Sequence, residues 1–267
     1  MCGFVWYPIT DYPAVSLLYE DAYFAGTEYP DYLGQENALR KSMRRHLSQM
    51  ARFSPLEGKL LEVGCAYGLF LDEARLHFDQ VVGVDVCANP VSHACKQIGV
   101  DARCGNFLRM EFGAQRFNVV CLWDTIEHLP TPGDFLKKAA ELIVDGGMLY
   151  ITTGDISAAV ARMRGRHWRQ IHPPTHVSYF SRETLSKLLR LSGFTVVGIE
   201  TASYYHTLFN ILASIRLRRG VFGGVASGLL SMLGEGLARR FGIWLNLGDI
   251  MFVAARRIPT TIPSRTQ

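Results

Sequence analysis

Residues 61–74 read LEVGCAYGLFLDEA, a stretch that predicts a change from β-strand to helix through a glycine loop. The apolar run before Gly64 suits a buried strand, and the glycines of GCAYG permit a tight turn. The residues after Gly68 return to helical spacing. Strand, glycine loop and helix in this order open a βαβ unit, in which the loop is a common ligand site.

Apolar runs rich in β-branched residues alternate with helical stretches along the rest of the chain. This alternation predicts an α/β protein with a mostly parallel sheet that is covered on both faces. An amphipathic helix over residues 37–52 leads into the sheet. The predicted strands are residues 59–63, 80–86, 117–123, 147–153, 194–201 and 248–257, and the predicted helices between them are residues 69–78, 133–143 and 182–192.

Composition limits the classes of protein and of partner. A chain of 267 residues that is 48% hydrophobic can bury one large α/β core. The net charge of +4 comes from scattered basic residues, so we predict no nucleic-acid partner. The N-terminus has no basic segment before an apolar core, which predicts a cytoplasmic protein without a secretory signal. The six cysteines form no CxxC pair and are expected to be reduced and buried.

The residues that end the strands are the best candidates for ligand binding, because ligands of such sheets lie beyond the carboxyl ends of the strands. A dinucleotide fingerprint would require glycines where this chain has Ala66 and Leu69, which disfavours NAD. Glu62 would repel a pyrophosphate, but it suits a ligand that carries an ammonium and a sulfonium. The next strand ends at Asp85, whose carboxylate can accept both hydroxyls of a ribose.

The ordered motifs LEVGCAYG, VVGVDV, CGNF, FNVVCLWDTIEHLP and DGGMLYITT resemble those of class I S-adenosylmethionine-dependent methyltransferases. The resemblance is to the branch that includes the ubiquinone-biosynthesis O-methyltransferases, and it covers about residues 15–256. It implies a Rossmann-like, doubly wound sheet of seven strands with the last one antiparallel. It also implies S-adenosylmethionine as the cofactor, bound across the strand ends.

The residues that contact the cofactor in that family can be matched by position to residues of this sequence. The residues implied are Glu62, Gly64, Cys65, Ala66 and Gly68 for the methionine and ribose portions, Asp85 for the ribose hydroxyls, Val86 for packing on adenine, Asn106 and Phe107 beside the adenine edge, and Trp123 and Asp124 beside the sulfonium.

The string DTIEH, residues 124–128, resembles the Glu-x-x-Glu-His pattern that binds a divalent metal in some quinone O-methyltransferases. Asp124, Glu127 and His128 can share one helical face, and their side chains are of types that bind metals. Relatives without a metal carry the same string, however, and these residues can also hold the turn by hydrogen bonds and packing. We therefore predict no metal site.

A histidine-rich loop, RHWRQIHPPTHVSYFSRETL over residues 166–185, follows the strand at 147–153. In that position it would overhang the methyl donor and form the wall of the substrate site. Methyl transfer to a hydroxyl requires removal of a proton, and histidine suits this task near neutral pH. His172 and His176 are therefore the candidate catalytic residues. The alternative is a structural role, because Ser-Arg-Glu-Thr is an N-cap signal for the next helix.

Further predictions concern the organisation of the chain. We expect an N-terminal cap over residues 1–52, in which residues 19–34 with Tyr23, Tyr29 and Tyr32 resemble the segment that closes over cofactor and acceptor. The methyltransferase domain is expected over residues 53–257, and residues 258–267 are expected to be a disordered tail.

An insertion at about residues 203–247 precedes the last strand of this domain. Its longest uncharged run, GVFGGVASGLLSML, is too short to span a bilayer. Apolar residues alternate there with arginines. This pattern fits packing within the monomer, a lid for a hydrophobic acceptor, a contact in a homodimer, or a surface that rests on anionic lipid.

The function predicted from these features is S-adenosylmethionine-dependent methyl transfer to a small-molecule acceptor, at a hydroxyl oxygen. A quinol, a sugar and a polyketide-like acceptor all remain open. One alternative is a methyltransferase for RNA or protein, although the strand end WDTIEH lacks the Asn/Asp-Pro-Pro-aromatic string used on the amino groups of bases. A second alternative is a protein that binds the cofactor without turnover.

Overall fold

The computed structural model describes residues 3–8, 32–216 and 221–259. At its centre lies a sheet of seven strands, in which β11 runs antiparallel to both of its neighbours and the strands from β2 to β6 pair in parallel. In order across the sheet, the strands are β4 (Asp101–Cys104), β3 (Gln80–Asp85), β2 (Lys59–Val63), β5 (Phe117–Trp123), β6 (Ile143–Gly154), β11 (Ile250–Arg257) and β8 (Phe194–Thr201).

This order confirms the predicted α/β fold, a doubly wound sheet of seven strands with the last strand antiparallel. The strand order reverses between β2 and β5, and the carboxyl ends of these two strands form the switch point of the sheet. The edge strand β4 was not predicted from the sequence. It is short, and its residues are only partly buried, so it lacks the apolar run that marks the other strands.

Helices cover both faces of the sheet, as predicted. Alternate residues of β2 point to opposite sides, so that Leu61 joins one hydrophobic cluster and Leu60 joins the other. The first cluster includes residues of α4 (Pro132–Leu142) and α6 (Arg182–Leu191). The second includes residues of α1 (Glu36–Met50), α2 (Leu69–Ala74) and α3 (Ala88–His93).

The remaining elements lie around the carboxyl edge of the sheet and in the insertion. A short pair of strands joins β1 (Val5–Trp6) to β7 (Ser178–Tyr179), and a hairpin joins β9 (Tyr204–Thr207) to β10 (Gly242–Leu245). Helix α5 (Ala159–Arg164) follows β6. The insertion contains the helices α7 (Leu208–Arg216), α8 (Val221–Leu233) and α9 (Glu235–Arg240).

Helix α1 packs against the sheet and belongs to the same core as the strands, because Leu47 and Met50 lie in the cluster with Leu60. The boundary at residue 52 between a cap and a methyltransferase domain stays a prediction. Tyr23, Tyr29 and most of the predicted tail lie outside the described residues.

The expectation that the cysteines are buried is wrong for Cys95 and Cys104, which are exposed. Cys104 ends the edge strand β4, and Cys95 lies on the outer side of the helical turn after α3, so neither faces the core. Cys65, Cys87 and Cys121 are buried, as predicted. No helix of the described residues is long and apolar enough to cross a membrane.

Candidate active site

The glycine loop lies between β2 and α2, at the switch point of the sheet. Gly64 has a φ of +82°, and a Cβ atom there would lie 2.5 Å from Oγ1 of Thr125. Ala66 adopts a φ of 44° although it is not glycine. Gly68 precedes α2 in the left-handed region. Backbone strain of the kind seen at Ala66 is concentrated in binding sites, so the loop has the local geometry of one.

Asp85 ties the glycine loop to the end of β3. Its Oδ2 accepts a hydrogen bond from the backbone N–H of Ala66 at 2.8 Å, and its Oδ1 accepts one from Cys87 at 2.9 Å. Each carboxylate oxygen can accept a second hydrogen bond. Burial raises the pKa of Asp85, although the backbone donors oppose this shift. Asp85 therefore keeps acceptor capacity for two further donors, and its use for the hydroxyls of a ribose stays a prediction.

Glu62 lies inside the strand end, next to Asp85. Its side chain is 3% exposed, and its Oε2 has no hydrogen-bond partner in the described part of the chain. Burial and the neighbouring charge of Asp85 raise the pKa of Glu62 well above its ordinary value. A buried carboxylate without a hydrogen-bond donor lowers the stability of the folded protein, and a cationic ligand would compensate for this loss.

The other predicted cofactor residues of β2, β3 and β4 differ in what their side chains can reach. The thiol of Cys65 is buried against Gly83, so only the main chain of Cys65 faces the loop. Val86 is exposed and available for packing on a flat ligand. Asn106 accepts a hydrogen bond from the backbone N–H of Leu108, and the ring of Phe107 lies in the core. Only the main chain of Phe107 is therefore open to an adenine edge.

Trp123 and Asp124 end β5 beside the glycine loop. The indole of Trp123 stacks on His46 of α1 at 4.8 Å between ring centroids, inside the protein. Asp124 has a φ of 45°, a second strained position at the switch point. The hydroxyl of Tyr204 donates to the carboxylate of Asp124, with Tyr204 Oη to Asp124 oxygen distances of 2.7 and 3.0 Å. Burial raises the pKa of Asp124.

The histidine loop folds over the carboxyl ends of β5 and β6. Hydrogen bonds orient the imidazole rings of its histidines. Nδ1 of His176 lies 2.9 Å from the carbonyl oxygen of Gln170. Because a carbonyl oxygen can only accept, Nδ1 of His176 is the donor, and the neutral ring has its lone pair on Nε2. Nδ1 of His172 lies 2.8 Å from Oγ1 of Thr175, which also lies 2.8 Å from the carbonyl oxygen of His172, so this contact allows either tautomer of His172.

The predicted catalytic histidines differ in burial. His172 is exposed, whereas His176 is partly buried and lines a small recess with Glu127, Trp168 and Tyr179. The recess lies beside Gly154, at the carboxyl end of β6. The recess has room for about one water molecule, so the catalytic role of His176 stays a prediction.

The structure regroups the residues of the DTIEH string. The side-chain atoms of Glu127, His128 and His176 that could ligate a metal lie within 4.8 Å of one another. The carboxylate of Asp124 instead accepts a hydrogen bond from Tyr204. Glu127 accepts a hydrogen bond from Thr153. Burial and the charge of Asp124 raise the pKa of Glu127 to about 8, and burial lowers the pKa of His128 to about 3. The absence of a metal site stays a prediction.

Asp249 anchors the histidine loop to the start of β11. It is 1% exposed and accepts hydrogen bonds from Nε1 of Trp168 at 2.8 Å and from the guanidinium of Arg169 at 3.0 and 3.2 Å. Burial alone would raise the pKa of Asp249, but these donors outweigh it and leave the pKa lowered. This anchor holds the loop at a fixed place above the strand ends.

Three residues of the site, Tyr204, His46 and Asp249, are not predicted from the sequence. Tyr204 comes from the insertion, where no motif marks it. His46 could have been found from helical spacing, because it lies three residues after Met43 and four before Met50, on the side of α1 that faces the sheet. Tyr32, from the predicted entry segment, stacks on Tyr67 of the glycine loop at 5.1 Å.

Comparisons with known proteins agree with this geometry. A family model described as a methyltransferase domain matches residues 35–199. A ubiquinone biosynthesis O-methyltransferase of Coxiella burnetii (strain RSA 493 / Nine Mile phase I) is 33% identical over 104 residues, which cover 37% of this chain and 44% of that protein. The enzyme of the same name from Caulobacter sp. (strain K31) is 36% identical over 109 residues, 38% of this chain and 42% of that protein. The chain thus spans less than half the length of these curated relatives.

Solved structures show the same fold at low identity. Magnesium protoporphyrin IX methyltransferase from Synechocystis PCC 6803, solved with bound SAH, has a TM-score of 0.58 at 12% identity and covers 92% of this chain and 100% of its own. A methyltransferase structure from Bacillus halodurans C-125 has a TM-score of 0.58 at 15% identity, with coverages of 82% and 100%. The family match spans the sheet from α1 to β8, and the chain accordingly belongs to the methyltransferase domain family, with the fold of the class I S-adenosylmethionine-dependent methyltransferases.

Proposed function

We propose that the chain binds S-adenosylmethionine at the carboxyl ends of β2, β3 and β5 and transfers its methyl group to a small-molecule acceptor, at a hydroxyl oxygen. The observation that carries this proposal is the buried carboxylate of Glu62, which has an oxygen without a partner in the described part of the chain. When bound, the cofactor supplies a methyl group on a positively charged sulfur, which an acceptor displaces in line.

The residues present fit this ligand. An ammonium near Glu62 would supply the missing hydrogen-bond donor and would lower the raised pKa of that carboxyl. Asp85 has acceptor capacity left for two ribose hydroxyls. The missing side chain at Gly64 lets the loop pack against Thr125, which keeps the ends of β2 and β5 together. Val86 offers an exposed apolar surface for the adenine ring.

The proton of the acceptor hydroxyl would go to a histidine of the loop. A neutral imidazole carries one lone pair on a ring nitrogen, so either histidine can accept a proton. His176 is favoured, because its ring is partly buried and is oriented by the carbonyl of Gln170, whereas His172 is exposed. The loop anchor at Asp249 would hold this base in position.

The relatives from Coxiella burnetii and Caulobacter are named as O-methyltransferases, which supports oxygen as the acceptor atom. The matched regions cover less than half of each relative. We therefore leave the acceptor open among quinols, sugars and polyketide-like compounds. The exposed apolar residues of the insertion suggest two partners, which are a second copy of the chain in a homodimer and a membrane surface.

Calorimetric titration with S-adenosylmethionine and S-adenosylhomocysteine tests the cofactor site. We expect binding by the intact protein and a loss of roughly 10- to 100-fold in affinity for both ligands in Asp85→Asn, because a hydrogen bond to a charged group contributes about 1.5–3 kcal/mol. Asp79→Asn, at an exposed site before β3, is the matched control and should bind normally. Absence of binding by the intact protein would refute the proposal.

A further inference from the structure

Helix α8 is largely apolar. Its thirteen residues include no charged side chain, and its polar side chains are those of Ser227 and Ser231. Ala226 and Leu230 are buried against the neighbouring helices, whereas Val225, Leu229 and Met232 on the opposite side are exposed. The exposed residues are spaced four and three apart, so they share one face. A largely apolar helix is ordinarily buried or in contact with lipid, so its outward face suggests a partner.

The elements after α8 also have exposed apolar side chains. Helix α9 packs against α7 and α8, and β10 pairs with β9, so these elements form one compact unit. Two of the exposed side chains are aromatic, which suits the boundary between water and lipid. Trp244, however, contacts Tyr205 and points to the side of β10 opposite to its neighbour Ile243. We call the following residues the apolar outer surface: Val225, Leu229, Met232, Leu237, Phe241, Ile243 and Leu247.

The same segment carries the net positive charge of the protein. Residues 203–247 contain five arginines and one glutamate, a net charge of +4, and the whole chain has a net charge of +4. Acidic and basic residues therefore balance in the rest of the chain. Arg216 and Arg240 are exposed, at the end of α7 and the end of α9.

We propose that the apolar outer surface docks on the surface of a bilayer that contains anionic phospholipid. It would enter the boundary between headgroups and acyl chains, and the exposed Arg216 and Arg240 would lie beside the phosphate groups. Contact at the surface agrees with the finding that no described helix is long enough to span a membrane. A second copy of the chain would bring a net charge of +4 against +4, which opposes a dimer through this face.

Co-sedimentation with vesicles tests this inference on the full chain. We expect the protein to bind vesicles of phosphatidylcholine and phosphatidylglycerol more tightly than vesicles of phosphatidylcholine alone, with a preference that falls as salt is raised. Arg240→Gln should reduce affinity for the anionic vesicles about fivefold and leave binding to neutral vesicles unchanged.

Met232→Glu and Met163→Glu form a matched pair of variants. The two methionines are 77% and 80% exposed, so neither substitution disturbs packing, which circular dichroism would verify. Met232 belongs to the apolar outer surface, whereas Met163 lies on α5, outside the insertion. We expect Met232→Glu to weaken vesicle binding at least roughly tenfold and Met163→Glu to leave it unchanged.

Three results would overturn the inference. The first is no binding to anionic vesicles by the intact protein, and the second is an equal loss of binding in both methionine variants. The third is a dimer in light scattering that Met232→Glu dissociates while vesicle binding is absent, which would assign this face to a second copy of the chain.

Discussion

At the scale of single residues, backbone strain and a buried carboxyl oxygen without a hydrogen-bond donor among the described residues occur at the predicted cofactor site. Ala66 and Asp124 both have positive φ, and Glu62 is buried beside Asp85. The sequence predicts all four positions, because each ends a strand or lies in the glycine loop. It does not predict their backbone conformation or the hydrogen bond from Tyr204 to Asp124, since these depend on elements distant in the chain.

Glu127 gives a prediction about pH. Burial, together with the charge of Asp124, raises the pKa of Glu127 to about 8. The fold therefore favours the protonated form, so the contribution of Glu127 to stability is complete below its unfolded pKa of about 4.3 and is lost as pH rises toward 8. Glu127→Gln removes this titration and keeps an oxygen to accept the hydrogen bond from Thr153.

Urea unfolding at several pH values between 5 and 8 would measure the effect. We expect Glu127→Gln to reduce the fall of the unfolding free energy with pH by up to roughly 1.4 kcal/mol per pH unit. Glu111→Gln, at an exposed position, is the control and should follow the intact protein. Parallel pH profiles for the intact protein and Glu127→Gln would show that Glu127 does not titrate in this range.

At the scale of elements, the helical pattern predicts α1 and its apolar side, but it does not predict the polar residues of α1 that also pack against the sheet. Helical spacing within residues 37–52 predicts an apolar side that consists of Leu39, Met43, Leu47 and Met50. Leu47 and Met50 are buried, whereas Leu39 and Met43 are half-buried. The side of α1 that faces the sheet also contains Ser42, His46 and Gln49, spaced like one helical stripe. These polar residues meet β8, β9 and Trp123, so their burial depends on tertiary contacts that helical periodicity does not show.

The histidine loop is an element whose position depends on one buried carboxylate. In Asp249→Asn the charge that receives the hydrogen bonds of Trp168 and Arg169 is removed, while the shape of the side chain is kept. We expect a loss of about 1–3 kcal/mol in stability and faster hydrogen exchange over residues 165–177. Arg169 is partly exposed and can be rehydrated, which limits the loss.

Hydrogen exchange followed by mass spectrometry would locate the effect of Asp249→Asn. Asp101→Asn is a suitable control, because Asp101 pairs with Arg103 on the surface and such pairs contribute little. Unchanged exchange in the loop of Asp249→Asn would mean that other contacts hold it.

At the scale of the whole molecule, the sheet could be predicted and the insertion only in part. Apolar runs and helical stretches follow the local rules of βαβ units, so they predict a mostly parallel sheet with ligands at its strand ends. The number of seven strands and the antiparallel last strand are predicted only through the resemblance to the methyltransferases. The insertion has no such repeating pattern. Its hairpin of β9 and β10 forms between strands that are more than thirty residues apart in the chain, and helical or strand periodicity does not predict that pairing.

Cofactor binding should stabilise the whole molecule, because the glycine loop, Asp85 and Asp124 come together only when the ends of β2, β3 and β5 are assembled. The unfolded chain lacks this site, so S-adenosylhomocysteine at about 100 times its Kd should add roughly 2.7 kcal/mol to the unfolding free energy. For a chain of this size, that corresponds to a rise of about 5–10 °C in Tm. Asp85→Asn should lose most of the rise at the same ligand concentration, whereas Asp79→Asn should keep it. An equal rise in both variants would place the ligand away from the end of β3, and differential scanning calorimetry distinguishes the two results.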